Sequence, residues 1–214
     1  MIRLFVPLIP QVHGMSCWHA AARMLYAYRG MSVGPLYDTF KQGLNASGVG
    51  GLPIDPSSFD ELAMQIGLKK IPAPGTSVSP QDLERWLQQY GPLWVAGRWD
   101  GPPHVIVVTG VGVGDPNNVL INDPNPAHGQ RVETITWFNE KLCTGWKAPI
   151  LALTEKPRIH VVVKDDWLSK LAQRFYGDKN KWAPIYWANA SVIGNDPNLI
   201  RPGQRLIIPP RPGP

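Results

Sequence analysis

Apolar residues fall along the chain in two patterns. Ser16 to Arg29 (SCWHAAARMLYAYR) is rich in Ala, Met and Leu and reads as a helix, with Ser16 placed to cap it and Gly30 just past its end. A shorter helix is expected over Phe59–Ile66, stopping at Gly67. Ser79-Pro80-Gln81-Asp82 is a helix start: Ser caps, Pro fits the first turn and Asp favours the positive end of the dipole. That helix runs to Tyr90 and stops at Gly91. Continuous apolar runs at Leu93–Ala96, Val105–Val113 and Val119–Ile121 read as strands, with Asp115-Pro116-Asn117-Asn118 as the turn between the last two. Ile150–Leu153 is a further strand, and Met31–Pro53 is Gly-rich and irregular. A helix in front with strands behind it predicts an α+β domain.

The pattern restarts after Glu155-Lys156-Pro157, which reads as a linker. Strand (Ile159–Val163), helix (Trp167–Tyr176), helix (Trp182–Asn189) and strand (Arg205–Ile208) follow, then an extended tail, Pro209–Pro214. The expected division is 1–155, 156–209 and a Pro-rich 210–214. Charge follows it: residues 1–155 carry 11 Lys/Arg against 12 Asp/Glu, whereas residues 156–214 carry 10 against 4. The basic excess sits in the second module and suggests an anionic partner.

Composition narrows the classes. With 43% hydrophobic residues, the 214-residue chain can bury a core, which excludes wholesale disorder. No stretch approaches 18 uninterrupted apolar residues, so no membrane span is expected. Met1–Pro10 is broken by two prolines and lacks a small-residue cleavage site, so no cleaved signal peptide is expected. Two cysteines are too few for a disulfide scaffold.

One of them carries candidate chemistry. Cys17 falls in the first turn of the first helix, where the positive end of the dipole stabilises a thiolate. A nucleophilic thiolate needs a proton shuttle and donors for the developing oxyanion. Gln11 lies close enough in sequence to return its side-chain amide to the sulfur, and the Cys17 backbone N–H is a second donor. His104 opens the strand run HVIVVTGVGV and is the candidate base. Asp123, at the end of VLINDP, reaches the same end if the two strands form a hairpin, and can orient the imidazole. Each residue alone has an ordinary structural explanation; the ordered set points to hydrolysis.

These residues carry a family likeness. Gln11 through Cys17-Trp18 resembles the papain-like cysteine peptidases, and GPLWV…PHVIVVTGV…VLINDP is similar to bacterial double-glycine peptidases that process bacteriocin leaders and to related effector proteases. The resemblance covers roughly residues 1–155. It implies Cys17 as nucleophile, His104 as base, Asp123 as orienting acid and Gln11 as oxyanion donor, with no cofactor and with cleavage after small residues. Met15 replaces a usual Gly, and neighbouring Asn122 is the alternative to Asp123.

Other candidates weigh less. His13, Cys17 and His19 do not make a metal site, because i and i+2 positions on a helix diverge and a fourth ligand is lacking. His19, His128 and Cys143 are expected in structural roles, with an influence of His19 and His128 on the site as the alternative. Gly110-Val-Gly-Val-Gly lacks the Lys-Ser/Thr pair and helix of a phosphate loop.

Arg158–Pro209 resembles a LysM domain in IHVVVKDDWLSKLAQRFYGD, KWAPIYWAN and IGNDPNLIRPGQRLIIP. The likeness implies a βααβ fold that binds N-acetylglucosamine polymers, chiefly peptidoglycan or chitin. The implied groove lies between Asp165-Asp166-Trp167-Leu168 and Asn198-Leu199-Ile200. Asp165-Asp166-Trp167 stands where the family usually has Gly-Asp-Thr. Trp167 either stacks on a sugar or packs in the core.

Together these features lead to a cysteine peptidase (a hydrolase) acting on protein or peptide through a Cys-His-Asp triad, with a LysM targeting module. The expected setting is a bacterial effector toxin made in the cytoplasm. Delivery would be by a contractile machine such as type VI secretion, with a cognate immunity protein and a secretion-tail component as partners. A peptidoglycan amidase or endopeptidase, and a non-catalytic wall-binding or tail-adaptor protein, are the alternatives.

Overall fold

The structure, a computed structural model, describes residues 1–12, 16–33, 63, 66–71, 77–99, 101–142 and 150–211. The irregular stretch 34–53, most of the expected helix 59–66, His13, Met15, Cys143 and the last three residues lie outside them.

The first half is built on strands β1 (Ile2–Arg3), β2 (Lys69–Lys70), β3 (Leu93–Gly97), β4 (His104–Val111), β5 (Asn118–Asn122), β6 (Gln130–Thr134) and β7 (Ile150–Ala152). Among the described residues these seven form one antiparallel sheet in the order β2-β7-β3-β4-β5-β6, with β1 added beside β4. Helices α1 (Cys17–Tyr28), α2 (Pro80–Tyr90) and α3 (Ile135–Lys141) flank it.

The continuous apolar runs have a direct cause: both sheet faces are covered. Trp94, Ala96, Val105 and Val107 pack with α1, whereas Leu93, Val95, Ile106 and Val108 pack with Leu83, Trp86 and Leu87 of α2 and Phe138 of α3. Edge strand β6 shows alternating exposure and carries one apolar residue, Val132, on its open side. It therefore lacks an apolar signature. The start of α2 is as expected: Ser79 and Asp82 form a reciprocal capping box. Ser16 holds the N-cap position of α1, but its side chain makes no capping bond.

The N-terminal segment is a strap laid along the sheet. β1 pairs with β4, Leu4 N–H donates to Thr109 O (2.8 Å) where the β4–β5 register shifts, and Gln11 N–H donates to Pro124 O (2.8 Å). At Gly110 an added Cβ would lie 2.6 Å from Ile2 O and 3.2 Å from Arg3 Cα. Gly110→Ala is therefore expected to lift the strap and destabilise the protein by about 1–3 kcal/mol. Urea unfolding measures this, and a midpoint equal to wild type contradicts the close approach.

The second half is a hairpin of β8 (Arg158–Val161) and β9 (Arg205–Ile208) with α4 (Leu168–Tyr176) and α5 (Ala183–Ile193) between them in sequence, the βααβ order. Leu168, Leu171, Tyr176, Ile185 and Leu206 form its core. The Asn189 side-chain amide pairs with the backbone of Ile207 through bonds of 2.6 and 2.7 Å, tying α5 to β9. No helix among the described residues is long and apolar enough to cross a membrane.

Candidate active site

Cys17 is the first residue of α1 and only 6% exposed. The turn it opens is pinned to the sheet, because buried Trp94 donates its Nε1–H to Trp18 O (2.9 Å). The thiol is free and is a hydrogen-bond partner of the His104 side chain. His104 stands opposite Gly97 at the start of β4, and its backbone carbonyl accepts from Trp99 Nε1 (3.1 Å).

Asp123 completes the line. Its Oδ1 lies 2.7 Å from His104 Nε2, which leaves Nδ1 as the ring nitrogen facing the sulfur. Asp123 is 1% exposed and held from several sides. Asn125 N–H donates to Oδ1 (2.8 Å), while Oδ2 meets His128 Nδ1 at 3.2 Å and Arg131 Nη2 at 3.6 Å. Its backbone N–H donates to Gly129 O (2.7 Å).

Asn122 serves elsewhere. Its Nδ2 donates to Val6 O (3.0 Å) and its Oδ1 accepts from Gln130 Nε2 (3.0 Å), so its amide anchors the strap. The strap carries Gln11 to the loop after Asp123, and the Gln11 Oε1 is buried there. Arg131 was not legible as a companion of Asp123, and for His128 the sequence offered an influence on the site only as an alternative to a structural role. They lie on a tight turn and an edge strand, and no residue pattern announces that both point back to one carboxylate.

The electrostatics follow from this geometry. Burial by itself lowers the His104 pKa, but the hydrogen bonds to Asp123 and Cys17 outweigh it and hold the imidazole protonated up to about 9. Burial pushes the Asp123 carboxyl up, yet its bonds to His104 and Asn125 N–H prevail and keep it below the usual value. His19 is the opposite case: burial, with the Arg23 charge adding to it, lowers it to about 3.

The signs set a stability profile. His104 contributes stability that is fully present below its unfolded value and fades as pH rises through about 9. His19 is buried neutral, so stability is complete above its unfolded value of 6.5 and falls as pH drops toward about 3. Asp123 loses its contribution in the same acidic direction. One proton corresponds to about 1.4 kcal/mol per pH unit once the unfolded imidazole is fully charged, so His19 alone costs about 2 kcal/mol between about pH 6.5 and pH 4.5. Urea unfolding across pH should give a maximum near neutrality, with an acid-side loss that shrinks by this amount in His19→Phe. An unchanged acid limb in that variant contradicts the assignment.

The LysM-like residues divide into exposed and structural sets. Trp167 is 52% exposed, with Lys170 Nζ 4.9 Å from its ring centroid and also donating to Asp165 O (2.9 Å). It is a surface residue rather than part of the core. Asp165 has a left-handed backbone, φ 66°. Asp166 accepts from Val163 N–H (2.9 Å) and meets His160 Nε2 at 2.8 Å, which closes the turn. Leu168 is buried, Ile200 packs against the core, Leu199 is exposed, and Asn198 bonds to Asp196. Among the described residues no group of three or more His, Cys, Asp or Glu is arranged to hold a metal ion.

Comparison with known proteins adds to this geometry. The family model described as papain-like cysteine protease AvrRpt2 matches residues 1–143, and the LysM domain model matches residues 160–209. None of the curated proteins matches the chain. Among solved structures, a double-glycine-motif protease from an AMS/PCAT transporter in complex with its leader peptide is 21% identical. That match covers 70% of this chain and 90% of the other, with a TM-score of 0.42. The peptidase domain of Streptococcus ComA, a bifunctional ABC transporter of a quorum-sensing pathway, is 20% identical. It covers 69% of this chain and 98% of its own, with a TM-score of 0.47.

Proposed function

Since the chain belongs to the papain-like cysteine protease family of AvrRpt2 and carries a LysM domain, we propose that it hydrolyses protein substrates through Cys17, His104 and Asp123. The observation that carries this reading is the hydrogen-bonded line from the Cys17 thiol through His104 to Asp123, with the imidazole held protonated up to about 9.

In this mechanism the proton of the thiol rests on His104 Nδ1, and Cys17 acts as thiolate. The sulfur attacks the peptide carbonyl carbon. The oxyanion that forms accepts hydrogen bonds from the Cys17 N–H and the Gln11 side-chain amide. His104 then delivers its proton to the leaving amine, the C–N bond breaks, and a thioester remains on Cys17. Water, giving a proton to His104, attacks the thioester and releases the acid. Asp123 fixes the ring and balances its charge throughout; it does not take the proton.

The LysM residues are assigned to an N-acetylglucosamine polymer, with Trp167 and Leu199 as exposed apolar contacts for sugar faces. A protease joined to such a module suits a bacterial effector that works at or beyond a cell wall. What supports that setting is the fusion itself.

Two substrates tell the readings apart: fluorescently labelled casein and purified sacculi, each incubated with wild type and with Cys17→Ala. The proposal expects casein fragments from wild type only and intact sacculi. Muropeptides released by wild type but not by Cys17→Ala would replace it with the wall-amidase reading.

A further inference from the structure

The LysM residues do more than follow the protease in sequence. Trp187 and Ala188 of α5 and Ile207 of β9 lie in one apolar cluster with Cys17, Trp18, Met24, Leu25 and Tyr26 of α1. Trp187 is 2% exposed. Its ring meets His19 edge-on, with centroids 5.5 Å apart and planes at 81°, and tilts against Tyr26 at 5.5 Å and 58°. His19 is thereby held between Trp18 and Trp187. His19 and Tyr26 are seven residues apart, two turns along one face of α1. α1 also packs against β3 and β4, so it is held between the sheet and the LysM residues.

The far end of this contact is equally close. Pro209 approaches Gly67 so tightly that an added Cβ there would lie 2.6 Å from the Pro209 Cβ and 2.9 Å from Tyr26 Oη, and Gly67 has φ +69°. Tyr176 Oη donates to Pro209 O (3.0 Å), and Tyr26 Oη donates to Ile66 O (2.9 Å). The interface thus runs from the turn that carries Cys17 to the C-terminal part of α1.

From this packing, and resting on the peptidase reading above, we infer that the LysM domain is a structural wall of the protease and that Trp187 is a positioning residue for Cys17. A LysM joined in this manner cannot be exchanged for another binding module without loss of turnover. The physical reason is leverage. Cys17 begins the helix, His19 sits within its first turn, and removing the ring against His19 frees that turn to shift away from His104. A displacement of about 1 Å at a nucleophile costs about 10²-fold in rate.

The test uses the full chain. Wild type, Trp187→Ala and Trp187→Phe are compared for casein cleavage and for the rate of iodoacetamide alkylation of Cys17 near neutral pH. The alkylated peptide is mapped by mass spectrometry, and all measurements are made well below each variant's Tm. Cleavage that Cys17→Ala abolishes bears on the peptidase reading by itself, so the Trp187 variants bear on this inference alone. The expected result is that Trp187→Ala slows both cleavage and Cys17 alkylation, by about 10²-fold for cleavage. Chitin-bead retention stays at the wild-type level, and Trp187→Phe recovers most of both rates. If Trp187→Ala does not fold, Ile207→Thr decides: it keeps a β-branched residue in β9 and should lower both rates about 10-fold. Either folded variant with wild-type cleavage and alkylation, whatever its Tm, overturns the inference.

Discussion

Replacing Cys17 by Ala is expected to reduce turnover about 10⁵–10⁶-fold while the protein stays folded. The size follows from what the sulfur does: it forms the bond to the acyl group, and it is the side chain hydrogen-bonded to His104. The fold survives because the change deletes a single small buried group at a helix end, worth about 1 kcal/mol. Cleavage of labelled casein at matched concentrations, with thermal unfolding followed in parallel, measures both. Residual activity above about one part in a thousand would mean that another group performs the attack.

The second large effect is at Asp123. Asp123→Asn keeps the shape of the side chain and leaves an amide 2.7 Å from His104 Nε2, but removes the charge that offsets burial of the imidazole. Two consequences are expected. Turnover near neutrality drops by about 10²–10⁴-fold, because the ring is no longer held in the tautomer and orientation that the thiol requires. The alkaline limb of kcat/KM, expected in wild type where His104 loses its proton near 9, moves to lower pH. A pH profile for both proteins reads this directly, and an unmoved alkaline limb would take Asp123 out of the mechanism.

Much of this arrangement was legible because local chemistry and packing agree. Ser79 and Asp82 announce α2 through a capping box that forms as spaced, and the runs around Trp94 and Val107 announce central strands because both faces are buried. The choice between Asn122 and Asp123 needed the side-chain contacts. Asp123 Oδ1 lies 2.7 Å from His104 Nε2, whereas the Asn122 amide is engaged by Val6 O and Gln130 Nε2. Neighbouring residues of the same size cannot reveal which of them meets a distant partner.

What was not legible is mostly non-local. β6 (Gln130–Thr134) is an edge strand, and α3 (Ile135–Lys141) is a seven-residue helix capped by the Thr134 side chain, so neither has an apolar period to read. The docking of α5 on α1 left one trace in the sequence. Ala183–Ile193 is apolar nearly all round, and a helix that serves only its own small domain needs a single apolar stripe. The surplus apolar side is the one that Trp187 turns to His19.

The central claim, that Cys17, His104 and Asp123 act as one charged relay, is tested most directly by following the five histidines by NMR as a function of pH. The signal missing from His104→Gln assigns His104, and wild type is then compared with Cys17→Ala and Asp123→Asn. The account requires a wild-type titration near 9 that falls in both variants. A His104 titrating near its ordinary value of 6.5, or unmoved by either substitution, would contradict it.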